Sequence, residues 1–250
     1  MAGPQIDPIR LAGVLFMVCL TAAATLSVVN SGTKPRIDAI AAKKAIAARK
    51  GVLPANTADV DTGEKAFLVD LSKGFADHQG DLVGILSDAQ EKAKQVQVFR
   101  GYDAEGNVAG YALSCELPDG YSGVIKFMVG VRYDAEAGEF RVAGSTILEH
   151  AETPGLGANI SFVTYAEKVL AGEEDRPPVP EFLGQFRDRV SGTIRLKKED
   201  PPGELDALTA ATITSKAYAV AIRRVLGMCN RNVDQFLNPS EPAAPSGEEA

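Results

Sequence analysis

The sequence has little with which to hold a metal. It carries three cysteines and two histidines in 250 residues, with no C-x-x-C pair and with His78 and His150 far apart. A zinc site or an iron–sulfur cluster needs three or four such ligands at recurrent spacing, so no metal ligand is assigned. Cys19, Cys115 and Cys229 are odd in number and give no disulfide framework. Positive charge is also short: the net charge of -7 leaves no phosphate-seeking surface, and nucleic acid is not an expected partner. No nucleophile–base constellation stands out, so no catalytic residue is assigned. Redox chemistry would have to come from an organic cofactor or a partner. What is present is ordinary: 45% hydrophobic and 24% charged residues describe a globular chain, neither disordered throughout nor a multi-span membrane protein. At roughly 150 residues per domain, the length allows one large domain or two small ones.

One long apolar run exists. Leu11 to Val29 (LAGVLFMVCLTAAATLSVV) holds 19 residues without a charge, about 28 Å as a helix and enough for one membrane crossing. A cleaved signal peptide is the competing reading, since Arg10 precedes the run and Ala22-Ala23-Ala24 offers small residues for cleavage. Leu26, Val28 and Val29 prolong the apolar stretch beyond that point and favour a retained anchor. Lys34, Arg36, Lys43 and Lys44 follow the span while Arg10 alone precedes it, so a charge count by itself would leave the rest of the chain in the cytoplasm.

The remainder divides by texture. Residues 1–10 form a short N-terminal segment and residues 30–95 a linker and helical segment, with Asn30-Ser31-Gly32 as the linker and RIDAIAAKKAIAARKGVL as a helix ending before Gly51 and Pro54. From Val96, VQVFRGY, the turn DAEGN and VAGYALSCEL predict a β-hairpin. Val124–Tyr133 and Phe140–Leu148, separated by DAEAGE, predict a second strand pair. Ser161–Leu170 is expected to be helical, Ala171–Pro180 an acidic, proline-rich loop, and Phe182–Phe186 a further apolar stretch. A last helix follows Thr212, with Tyr218, Ala221, Ile222, Val225 and Leu226 on one face. Residues 238–250 lack large apolar side chains and read as a disordered tail. The fold class is α+β: a transmembrane helix at 11–29, then one domain over 96–237 with an antiparallel-rich sheet and flanking helices.

Two stretches are unusual for such a domain. DALTAATITSK (Asp206–Lys216) gathers Thr209, Thr212, Thr214 and Ser215 at the start of an amphipathic helix. By composition alone these hydroxyls point first to capping of the first amides; a phosphate at the positive helix end, with Lys216 adding charge, is compatible with that reading. HAETPGLGANI (His150–Ile160) places Pro154-Gly155 at the centre of a type II turn, and Gly157 permits a close backbone approach. By residue type alone His150 is a strand-end residue, Glu152 a solvated carboxylate and GYSG (Gly120–Gly123) a turn.

In combination these segments resemble the FMN-binding domain family, which includes the G subunit of the Rnf electron-transport complex and the C subunit of the sodium-pumping NADH:quinone reductase. The resemblance starts with the single span and runs from about Val98 to Leu226 through YDAEGNVAGYAL, PDGYSGVIKFMVGV, HAETPGLGANI, FLGQF and DALTAATITSKA in the family's order. AATITSKA is closer to the Rnf subunit.

That resemblance implies FMN joined through its phosphate, as a phosphoester, to the last threonine of a D-x-x-[S/T]-G-A-T pattern. Here the pattern is Asp206-Ala207-Leu208-Thr209-Ala210-Ala211-Thr212, which makes Thr212 the attachment site and Asp206, Thr209 and Ala211 the recognition elements for a flavin transferase. Ala210 stands where the family has glycine, the residue that tolerates positive φ. Glu152, Thr153, Gly155, Leu156 and Gly157, with Thr214 and Ser215, are the implied FMN contacts. The implied role is that of an electron-carrying subunit, not catalytic alone, in an Rnf-type ion-translocating ferredoxin:NAD⁺ oxidoreductase. Its partners would be the other subunits, the flavin transferase and the membrane. The implied location is the inner (cytoplasmic) membrane, single-pass, with the FMN domain on the periplasmic side, against the charge count, because long domains translocate largely regardless of loop charge. The alternatives are the quinone-reductase C subunit, a structural subunit without flavin, and an independent flavoprotein reductase.

Overall fold

The computed structural model describes residues 8–61, 66–70, 85, 95–162, 180–197 and 202–239. The chain divides into two compact units, Met1–Ala45 and Ile46–Ala250. Helix α1, Pro8–Val52, runs through both. It includes Asn30-Ser31-Gly32 and Pro35, so the expected linker is helical. In α1 the hydroxyls of Thr21, Thr25, Ser31 and Thr33 turn back onto their own helix, as Thr25 Oγ1 does by donating to the Thr21 carbonyl at 2.8 Å. That local bonding removes the polar penalty of Thr21, Thr25 and Ser31 without breaking the helix. Among the described residues α1 is the one helix long and apolar enough to cross a membrane.

The second unit is built on a six-stranded antiparallel sheet with β1 Asp59–Val60, β2 Phe67–Asp70, β3 Gln95–Tyr102, β4 Val108–Leu117, β5 Ile125–Asp134 and β6 Glu139–Glu149. The order is β1-β3-β4-β5-β6, with β2 also paired to β3. Both predicted hairpins form, β3–β4 across the 103–107 turn and β5–β6 across the 135–138 turn. In the first turn Asp103 Oδ1 accepts the Asn107 amide at 2.8 Å while Gly106 takes φ +85°. The sheet also takes in β1 and β2, which precede residue 96.

Both faces of the sheet are covered, and the strands alternate accordingly. One face turns Leu113, Phe127, Val129 and Val142 towards helices α2 (Glu181–Gly184), α3 (Thr212–Arg231) and α4 (Val233–Leu237), forming the main core. Tyr218, Ile222, Val225 and Leu226 of α3 are fully buried there, the three aliphatic side chains each contributing about 1.5–3 kcal/mol of transfer free energy. The Tyr218 ring meets Phe127, Phe182 and Phe186 at centroid distances of 5.3 to 6.0 Å. Cys115 and Cys229 lie in the same core. Burial pushes the Cys115 thiol up to about 12 and Cys229 well above its usual value, so both behave as inert apolar residues.

The other face carries Phe99, Ala112 and Met128 and receives the end of α1 through Ala48, Val52 and Leu53. Four glycines, Gly101, Gly110, Gly130 and Gly144, lie on this face of β3 to β6, with Gly101 opposite Gly110 and Gly130 opposite Gly144. A Cβ at Gly130 would collide with the Val52 carbonyl, and one at Gly101 would lie 2.7 Å from Leu53 Cδ1. The Arg49 guanidinium sits 3.5 Å from the Phe99 ring centre and donates to the Asp61 carbonyl.

The described end of the expected Ser161–Leu170 helix is a 3-10 turn, Gly157–Ser161, and residues 163–170 lie outside the described residues, as do His78, residues 171–179 of the expected loop and residues 240–250 of the expected tail.

Candidate functional site

Strand β6 delivers the first wall. It ends at Glu149, and the chain turns at Thr153–Leu156, where the Leu156 amide donates to the Thr153 carbonyl at 3.1 Å and Gly155 takes φ +78°. This is the turn that Pro154-Gly155 predicts. His150 Nδ1 accepts the Glu152 amide, and Nε2 lies 3.0 Å from Ser161 Oγ. Ser161 Oγ also donates to the Ala158 carbonyl. Both ring nitrogens brace the loop, in agreement with a strand-end residue.

Glu152 is not solvated. It is 5% exposed, and each carboxylate oxygen has a partner: Oε1 accepts the Ser122 amide at 3.0 Å and Oε2 accepts the Thr214 hydroxyl at 2.9 Å. The side chain is enclosed by glycines. A Cβ at Gly157 would collide with Oε2, and one at Gly120 would lie 2.9 Å from Oε1. One carboxylate thus ties the 120–123 turn, the 152–157 loop and the start of α3, and the two glycines are needed for its fit.

The start of α3 forms the second wall. Ala210 has φ +57°, so the left-handed turn that a glycine would favour is present with an alanine in it. Ala211 is the N-cap, among the described residues no side chain caps the first turn, and Thr212 is the first helical residue and exposed. The hydroxyls are not used for capping that turn. Thr214 is spent on Glu152, while Ser215 Oγ accepts the Leu208 amide and donates to the Ala211 carbonyl. Asp206 is pinned by Lys197 Nζ at 2.7 Å, and Gln185 Oε1 accepts its amide.

Between these walls lies a cavity of about 360 Å³, within the range of small-ligand and cofactor sites. The loop contributes Glu152, Thr153, Leu156 and Gly157. Residues 210–214 contribute the other side, and Tyr121 of the 120–123 turn closes the rim. Tyr121, Leu156 and Ile213 are 68%, 41% and 58% exposed, so flat apolar surface faces the opening beside uncapped amides and the Thr212 hydroxyl. A planar aromatic group tethered by a phosphate fits that chemistry: ring surface on one side, anion-binding helix end on the other. Among the described residues no cluster of His, Cys, Asp and Glu could hold a metal ion.

The structure therefore brings Glu152, Thr153, Leu156, Gly157, Ala211, Thr212 and Thr214 together at one cavity. Gly155 shapes the loop without lining the cavity, Ser215 is fully buried behind it, and Asp206 and Thr209 sit on the approach to the helix. Sequence reasoning missed Tyr121 and Ile213 as lining residues; a lone exposed aromatic in GYSG and an apolar residue at a helix start carry no signal until the walls meet.

Residues 120–227 match the family model described as FMN-binding domain, which bears out the family resemblance of the sequence motifs. The chain is 28% identical over 210 residues to the G subunit of the ion-translocating oxidoreductase complex of Methanosarcina acetivorans, covering 83% of this chain and 87% of that one. To the protein of the same name from Shewanella amazonensis it is 27% identical over 225 residues, with 88% and 86% covered. To that of Shewanella oneidensis it is 34% identical over 129 residues, with 49% and 50% covered. Among solved structures, NqrC of Shewanella oneidensis is 18% identical, with a TM-score of 0.45 over 72% of this chain and 83% of that one.

Proposed function

We propose that this chain is the FMN-carrying G subunit of an Rnf-type ion-translocating oxidoreductase, with FMN held by a phosphoester to Thr212. The observation that carries the proposal is the placement of Thr212: an exposed hydroxyl on the first residue of a helix whose first turn no side chain caps, opening onto the cavity walled by the 152–157 loop. The similarity to subunits named for ion-translocating oxidoreductase complexes supports the assembly.

Each part of the site has a role in that reading. The amides at the start of α3 and the helix dipole stabilise the phosphate charge. Tyr121, Leu156 and Ile213 offer surface to the ring. Asp206, held by Lys197 and Gln185, and exposed Thr209 present the motif to a flavin transferase. Bound FMN supplies one- and two-electron transfer, and the protein fixes its position and tunes its potential. The apolar stretch of α1 anchors the subunit in the cytoplasmic membrane with the FMN domain on its outer side. Electrons pass between other subunits of a complex that couples ferredoxin oxidation and NAD⁺ reduction to ion transport.

Protein purified from a host that has the transferase is expected to show an intact mass increased by one FMN, with the modified peptide spanning Thr212. Thr212→Ala is expected to abolish the increment while leaving the melting profile of the flavin-free protein in place. Unmodified wild-type protein from that host would favour a structural subunit without flavin.

A further inference from the structure

Among the described residues the cavity wall contains one carboxylate and no basic side chain. Glu152 and the Tyr121 phenol are the ionisable groups among the described lining residues. The carboxylate is 5% exposed, so water screens it poorly. Its two hydrogen bonds come from neutral donors, the Ser122 amide and the Thr214 hydroxyl. Gly120 and Gly157 make room for it, since a Cβ at either would meet its oxygens, and the two hydrogen bonds hold it there. The Glu152 amide itself is held by His150 Nδ1.

We propose that Glu152 is a positioning and charge-setting residue, whose fixed buried carboxylate lowers the reduction potential of a flavin attached at Thr212. The inference rests on the carrier reading above. Taking up two electrons and one proton leaves the ring one negative charge richer, and a carboxylate in the same poorly screened wall opposes that gain. The Thr214 hydroxyl partly offsets the effect by donating to Oε2. Thr214 and Thr212 share the first turn of α3, so the same hydrogen bond sets the carboxylate relative to the attachment point.

The test is a dithionite titration of FMN-loaded full-length protein, monitored by flavin absorbance against a redox dye, for wild type, Glu152→Gln and Thr214→Val. Glutamine keeps the shape: its oxygen accepts the Ser122 amide and its NH₂ donates to the Thr214 oxygen, so only the charge is lost. E152Q is expected to favour the reduced ring by about tenfold, which is about 30 mV upward for a two-electron couple. T214V, which strips a donor from the retained charge, is expected to move the potential the other way. Opposite signs are what a purely structural role does not produce. Unmoved potentials in both variants, shifts of the same sign, or an E152Q protein that folds but acquires no FMN would each overturn the proposal. If E152Q does not fold, judged by the melt of the flavin-free protein, the downward shift in T214V decides alone. Wild-type protein without FMN is a different failure, that of the carrier reading.

Discussion

Ala210 shows how much one residue type leaves open. A left-handed alanine costs roughly 1–2 kcal/mol, but glycine gives the unfolded chain more freedom, worth about 0.4–1 kcal/mol in the opposite direction. The first effect wins at φ +57°. Ala210→Gly is therefore expected to stabilise the flavin-free protein by about 0.5–1 kcal/mol in a urea titration; a loss of stability would mean that the alanine methyl is needed where it stands. An alanine in place of glycine does not by itself tell whether the turn is kept. It is kept, because the Ser215 hydroxyl between Leu208 and Ala211 ties the segment from both ends. Glu152 goes the other way. Its residue type points to water, and it is buried because Gly157 of its own loop leaves it room and Gly120 and two donors are brought to it from other parts of the chain.

At the scale of elements, the glycines of the outer sheet face matter more than any one side chain there. Gly101, Gly110, Gly130 and Gly144 come from four strands, and the Val52–Pro54 segment lies on them at distances that exclude a Cβ. Gly130→Ala is expected to cost about 2–3 kcal/mol, since the collision is with a backbone carbonyl that has no rotamer to change. A shift in the urea midpoint with the slope unchanged is the expected signature. The strands themselves are legible in the sequence, because turn residues separate segments rich in aromatic and β-branched residues. The short strands β1 and β2 are not, since two and four residues carry too little pattern to separate from loop. Asn30-Ser31-Gly32 predicts a break in α1, but those residues remain helical; local propensity is a weak prior beside the cooperativity of the helix on either side.

For the molecule as a whole, the folded unit starts inside a helix whose earlier part is the apolar span. Ile46 opens the compact unit, and Ala48, Val52 and Leu53 fill its second core. A chain that begins at Ile46 is expected to give a cooperative thermal transition, whereas one that begins at Pro54 uncovers the glycine row and is expected to melt lower or to aggregate; equal melts would show that the helix end contributes nothing. The sequence by itself determined the apolar span, the antiparallel hairpins, the amphipathic face of α3 and the motif order that resembles the FMN-binding domain family, because each is written in local periodicity or in contiguous residues. The tertiary structure alone decided that Glu152 is buried between Ser122 and Thr214, that Tyr121 and Ile213 close a cavity over Thr212, and that four separate glycines receive the end of α1 and the residues after it. Those arrangements join residues far apart in the chain, and the burial and close approach that create them exist only once the sheet has brought the segments together.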